Sequence, residues 1–133
     1  MNWKDIYDRG SSVFGGAVSG GLDSCTVTHW LHQNGVNVHC FTVDLGQPDE
    51  ENLQAVADRM MACGASEASI VPGKEMLADA GLKVLQAQAR YEGGYWNTTG
   101  IARPITVKAI LKRLQDNDIN VLFHGATGRG NDQ

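Results

Sequence analysis

Ala17-Val18-Ser19-Gly20-Gly21-Leu22-Asp23-Ser24-Cys25 joins an apolar run to an amphipathic one, and its reading decides the fold. Upstream, Ser12 to Val18 reads as a strand, weakened by the pair Gly15-Gly16. Downstream, Asp23 or Ser24 can cap a helix running to about Asn34, with Val27, Trp30 and Leu31 on one face and Gly35 as its stop. A Ser-Gly-Gly turn between strand and helix creates an anion site. Backbone N–H groups and the helix dipole point at the ligand, and glycine lets a phosphate approach the backbone closely. Ser19 and Ser24 add hydroxyl donors. Asp23 is explained either as a helix cap or as a partner for the Mg²⁺ that accompanies nucleotide phosphates. A plain turn is the competing reading. Two commoner phosphate motifs fail: Gly15 and Gly20 have Walker A spacing, but Gly21-Leu22 follow in place of Lys-Ser/Thr, and no GxGxxG fits the loop.

Working outward, Val36 to Val43 alternates as a strong strand. Gln47-Pro48-Asp49 is a turn, and Asp49 is the expected cap of a helix with Leu53, Val56, Ala57 and Met60 on its apolar face and Gly64 at its end. The run Asp49-Glu50-Glu51 suits the positive end of that helix. Ala68 to Val71 is a short strand, and Met76 to Gln88 a helix interrupted by Gly81. Ala89 to Gly100 has no clear period and is long enough for a functional loop. Pro104 fits the first turn of a helix whose buried stripe is Val107, Ile110, Leu111 and Leu114. Asn120 to His124 closes the set as a strand. The order β-α-β-α-β-α-α-β predicts an α/β fold with a doubly wound parallel sheet.

At 133 residues the chain has room for one domain, 1–133. Its formal net charge of −4 and the absence of any Lys/Arg run beyond Lys112-Arg113 argue against a nucleic-acid footprint. No apolar run approaches the ~20 residues that span a bilayer, and Met1 to Gly10 lacks the apolar core of a signal peptide. A cytoplasmic protein without membrane contact is expected. Cys25, Cys40 and Cys63 form no CxxC pair and read as free thiols. His29 and His32 stand one helical turn apart, but no third ligand is in view, so surface histidines are expected and no resident metal site.

A second glycine-rich stretch, His124-Gly125-Ala126-Thr127-Gly128-Arg129-Gly130-Asn131-Asp132, follows the last strand. Right-handed crossovers build strands outward from the first before the chain returns to its other side, so the expected strand order is 3-2-1-4. The switch point then lies between the first and last strands, where ligands bind in such sheets. Each of those strands ends in a glycine-rich loop, and two loops at one crevice suit a nucleotide.

The first loop resembles that of the N-type ATP pyrophosphatases, within the adenine nucleotide alpha hydrolase-like folds. From Ala17 to Gln133 the chain resembles the N-terminal part of the argininosuccinate synthase family: AVSGGLDSC, FTVDLGQPDEE, YWNTTGIARP and HGATGRGNDQ. The resemblance implies an ATP-dependent ligase of arginine biosynthesis that joins citrulline to aspartate and releases AMP and pyrophosphate. It implies that Ala17, Val18, Ser19, Gly20, Gly21, Leu22, Asp23, Ser24 and Cys25 hold ATP, with Val43 near the adenine and Gly125 and Thr127 completing the site. Thr127, Asn131 and Asp132 would meet aspartate, Asn131 also citrulline. Tyr95 matches the citrulline tyrosine of one bacterial subgroup, with Tyr91 as the competitor. ATP and Mg²⁺ are the implied cofactors, and no covalent nucleophile is needed because such phosphoryl transfer rests on positioning and charge stabilisation.

The loop departs from the family's usual SGGLDTS at Ser24 and Cys25, and Cys25 gives up a hydroxyl donor. Family members continue past the position of Gln133 into a synthetase domain, absent from these residues, which carries more of the substrate site and oligomer contacts. A homo-oligomer is expected where that domain is present. The competing functions are a non-catalytic ATP-binding module and another adenylating enzyme, such as one that modifies tRNA. Trp30 reads as core, and Arg103 as a phosphate ligand or a partner for a carboxylate.

Overall fold

The structure, a computed structural model, describes residues 2–8, 13–47, 52–96 and 99–126, with backbone alone at Trp3, Tyr7, Tyr91, Tyr95 and Thr99. Its elements are α1 (Trp3–Tyr7), β1 (Val13–Ala17), α2 (Leu22–Gln33), β2 (Asn37–Asp44), α3 (Leu53–Ala62), β3 (Glu67–Pro72), α4 (Lys74–Gln86), β4 (Arg90–Tyr91), β5 (Tyr95–Trp96), α5 (Thr99–Asp116) and β6 (Val121–His124). Four parallel strands form one sheet in the order β3-β2-β1-β6. That is the expected 3-2-1-4 arrangement.

Alternation along the strands sends side chains to two separate cores. On one face Phe14, Val38 and Cys40 pack with Leu31 of α2 and Val56 and Met60 of α3. On the other, Phe41, Val43 and Val71 pack with Ala109, Ile110 and Leu114 of α5. Gly15 and Gly16 do not break β1. A Cβ on Gly15 would lie 2.4 Å from Leu114 Cδ2, and one on Gly16 would lie 2.4 Å from Phe123 Cζ. The glycines are spaces filled by neighbours.

Several element readings need correction. The N-cap of α2 is Gly21, with no side-chain hydrogen bond, so neither Asp23 nor Ser24 caps it. Its buried residues are Ser24, Thr28 and Leu31, while Trp30 is 46% exposed and is no core residue. Helix α3 begins later than expected because Asn52 caps it, its side chain accepting the N–H of Ala55 at 3.2 Å. Asp49 lies outside the described residues.

The stretch after Ala89 contains an antiparallel hairpin of β4 and β5, with the Arg90 guanidinium 4.4 Å from the centre of the Trp96 ring. Helix α5 then starts at Thr99, which places Pro104 inside it instead of in the first turn. Ala109, Ile110 and Leu114 form its buried stripe, whereas Val107 and Leu111 are exposed. The unanticipated α1 is closed by a capping box: Asp5 N–H donates to Asn2 Oδ1 and Asn2 N–H donates back to Asp5 Oδ2.

Candidate nucleotide site at the strand switch point

Strand β1 is the hinge of the site, because β2 pairs on one side of it and β6 on the other. At its carboxyl end the chain leaves the sheet held by neighbours: Val18 N–H donates to the Phe41 carbonyl at 3.1 Å, and Thr42 Oγ1 donates to the Val18 carbonyl at 3.2 Å. Gly20 then adopts φ +74°, a region that glycine enters without steric cost. Ser19 N–H donates to Ser24 Oγ at 3.3 Å, which closes the loop over the first turn of α2. With Gly21 supplying no capping side chain, the first amides of α2 are available, among the described residues, to another acceptor.

The second loop meets the first. A Cβ on Gly125 would lie 3.3 Å from Asp23 Cβ and 3.5 Å from Ser24 N, so the two loops pass each other with little room to spare. His124 holds the turn, its Nδ1 accepting the Ala126 N–H at 3.2 Å.

Between the loops lies a cavity of about 720 Å³. Ser19, Gly21, Leu22, Asp23, Ser24, Gly125 and Ala126 form one end of its lining. Ala17, Val18, Phe41, Val43, Val107 and Leu122 form an apolar part, with Arg103, Thr106 and His124 also on the wall. A smaller cavity of about 250 Å³ adjoins it and shares Val18, Ser19, Val43 and Thr106. The wall combines an amide-rich, hydroxyl-bearing end with an apolar end large enough for an aromatic ring system.

Most of the nucleotide residues singled out from the sequence thus line one space. Gly20 and Cys25 stand behind it. The Gly20 carbonyl turns toward α3, and the Cys25 thiol donates to that carbonyl at 3.7 Å. Thr127, Asn131 and Asp132 lie outside the described residues. Tyr95 and Tyr91 are direct backbone partners in the hairpin, so the chain brings both tyrosine candidates to one place.

Sequence reasoning missed Phe41, Thr106, Val107, Leu122 and Ala126 as lining residues, and left Arg103 between two roles. Arg103 lines the cavity and makes no ion pair among the described residues. The missing signal was the start of α5: once it begins at Thr99, Arg103 and Val107 fall one turn apart on the face toward the cavity. His29 and His32 are both exposed, and no group of three metal-ligating side chains occurs among the described residues. No helix among them is long and apolar enough to cross a membrane.

Residues 15–133 match the family model described as the arginosuccinate synthase N-terminal HUP domain. The chain belongs to the argininosuccinate synthase family. It is 42% identical over 118 residues to the argininosuccinate synthase of Rhodopirellula baltica, covering 88% of this chain and 29% of that protein. Against the argininosuccinate synthase of Cronobacter sakazakii it is 41% identical over 120 residues, with the same coverage of 88% and 29%. This family member therefore spans under a third of the length of those curated relatives. A crystal structure of NAD+ synthetase from Burkholderia pseudomallei shares the fold, with a TM-score of 0.57 at 19% identity over 90% of this chain and 46% of that one.

Proposed function

We propose that this chain is the nucleotide-binding half of an argininosuccinate synthase and that residues 1–133 act as one ATP-binding domain. The observation that carries the proposal is the cavity at the β1–β6 switch point, where the Ser19–Ser24 loop and Gly125 share one wall. The triphosphate lies along the free amides of α2 and the hydroxyls of Ser19 and Ser24. Adenine takes the apolar end, against Val43 and Phe41. Arg103 faces the phosphates from α5, where a guanidinium offers paired donors to phosphate oxygens. Asp23 is the one carboxylate on the described wall, and it would hold the hydrated Mg²⁺ that accompanies nucleotide phosphates. Bound there, the ion would neutralise charge on the departing pyrophosphate.

In the full reaction the ureido oxygen of citrulline attacks the α-phosphate and pyrophosphate leaves. The aspartate amine then displaces AMP, giving argininosuccinate. Thr127 completes the nucleotide site and joins Asn131 and Asp132 around aspartate. Asn131 and Tyr95, or its partner Tyr91, meet citrulline. Direction and charge are the protein's contribution, so no side chain here forms a covalent intermediate.

Calorimetry on the 133-residue chain provides the test. Mg-ATP is expected to bind, with affinity lost on removing Mg²⁺ and weakened in Asp23→Asn. Argininosuccinate is not expected to form from ATP, citrulline and aspartate with this chain alone. No heat and no saturation at millimolar Mg-ATP would sink the proposal.

A further inference from the structure

We infer that Arg59, a residue of α3 outside the cavity, positions the phosphate loop by fixing the peptide between Gly20 and Gly21. The inference rests on the nucleotide reading above and assigns a role to a residue that touches no ligand. Arg59 Nη1 donates to the Gly20 carbonyl at 2.7 Å, across 39 residues of sequence. The Cys25 thiol shares that acceptor at 3.7 Å, so side chains from two helices hold one carbonyl.

Carbonyl and N–H point in opposite directions across a trans peptide. Turning the Gly20 carbonyl toward α3 therefore turns the Gly21 N–H away from α3, and Gly21 lines the cavity. The arrangement has little slack. Gly20 sits at φ +74°, and a Cβ there would lie 2.7 Å from Val56 Cγ1 and 3.0 Å from Arg59 Nη1. The guanidinium sits on the far side of the loop peptide from the cavity, and among the described residues no carboxylate pairs with it. A flipped peptide would instead present a carbonyl oxygen to a phosphate and repel it.

Calorimetric titrations with Mg-ATP, inorganic pyrophosphate and adenosine, made on wild type, Arg59→Ala, Arg59→Gln and Arg59→Lys, test this. Arg59→Ala is expected to weaken Mg-ATP and pyrophosphate by a similar factor of about ten, the scale of one charge-assisted hydrogen bond. Adenosine affinity is expected to stay unchanged, and Arg59→Lys to recover part of the loss. Arg59→Gln retains a donor without the charge and keeps the test open should Arg59→Ala fail to fold. The Gly21 amide resonance gives a second readout: pyrophosphate should shift it in wild type and not in Arg59→Ala. A variant with reduced thermal stability but wild-type affinity for Mg-ATP and pyrophosphate would overturn the inference. Wild type binding none of the three probes would instead overturn the nucleotide reading beneath it.

Discussion

Gly16 and Gly81 make a matched pair, because the same substitution should have opposite signs at the two positions. An alanine at Gly16 would push its Cβ to 2.4 Å from Phe123 Cζ, whereas a Cβ at Gly81 meets nothing within 4 Å. Gly16→Ala is expected to destabilise by about 1–3 kcal/mol through overpacking. Gly81→Ala should stabilise by roughly 0.5–1 kcal/mol, since it lies inside α4 and alanine is the better helix former. Urea denaturation of both variants checks the contrast. Asp44 offers a pH test at the same scale. The Lys74 ammonium 3.0 Å away, and then the Gly46 N–H, hold its carboxyl below the ordinary 3.8. A carboxylate with a depressed folded pKa adds stability above its unfolded value and loses it as pH falls through the folded one. Thermal melts of wild type should therefore decline more steeply below pH 3.8 than those of Asp44→Asn.

Among the elements, α3 and α4 show why some of the fold was legible and some was not. The stripe Leu53, Val56, Ala57 and Met60 has a clear helical period, and Val56, Ala57 and Met60 are indeed buried. Helix α4 has no fully buried residue, so its period carried less information and its ends were misplaced. Weak burial also predicts weak protection. Hydrogen exchange followed by mass spectrometry should find the α4 amides exchanging well before those of α3; equal protection would contradict the prediction. Helix α5 was misjudged for a different reason. Pro104 marks a helix start by local rule, yet packing of Ala109, Ile110 and Leu114 holds a longer helix together around it. The earlier start places Arg103 inside the helix, on the cavity wall, where the sequence had left its role open.

For the molecule as a whole, topology was the most legible level. Handedness of the crossovers and the position of two glycine-rich loops were enough to place the crevice, because few arrangements of parallel strands remain once those rules apply. Part of the apolar wall was not legible, since Phe41 and Leu122 look like ordinary strand residues until β1, β2 and β6 are set side by side. Arg59 is hidden for the same reason: its partner lies 39 residues away in sequence.

The pairing of Ala17 with His124 has a consequence for synthesis on the ribosome. The first strand emerges early, and its final neighbour comes off near the end of these residues, several seconds later at roughly 5–20 residues per second. Through that interval one flank of the nascent β1 is an open template for other chains. Glycine is a poor strand former. The Gly15-Gly16 pair, which later makes room for Leu114 and Phe123, therefore also keeps the waiting strand from holding a stranger firmly.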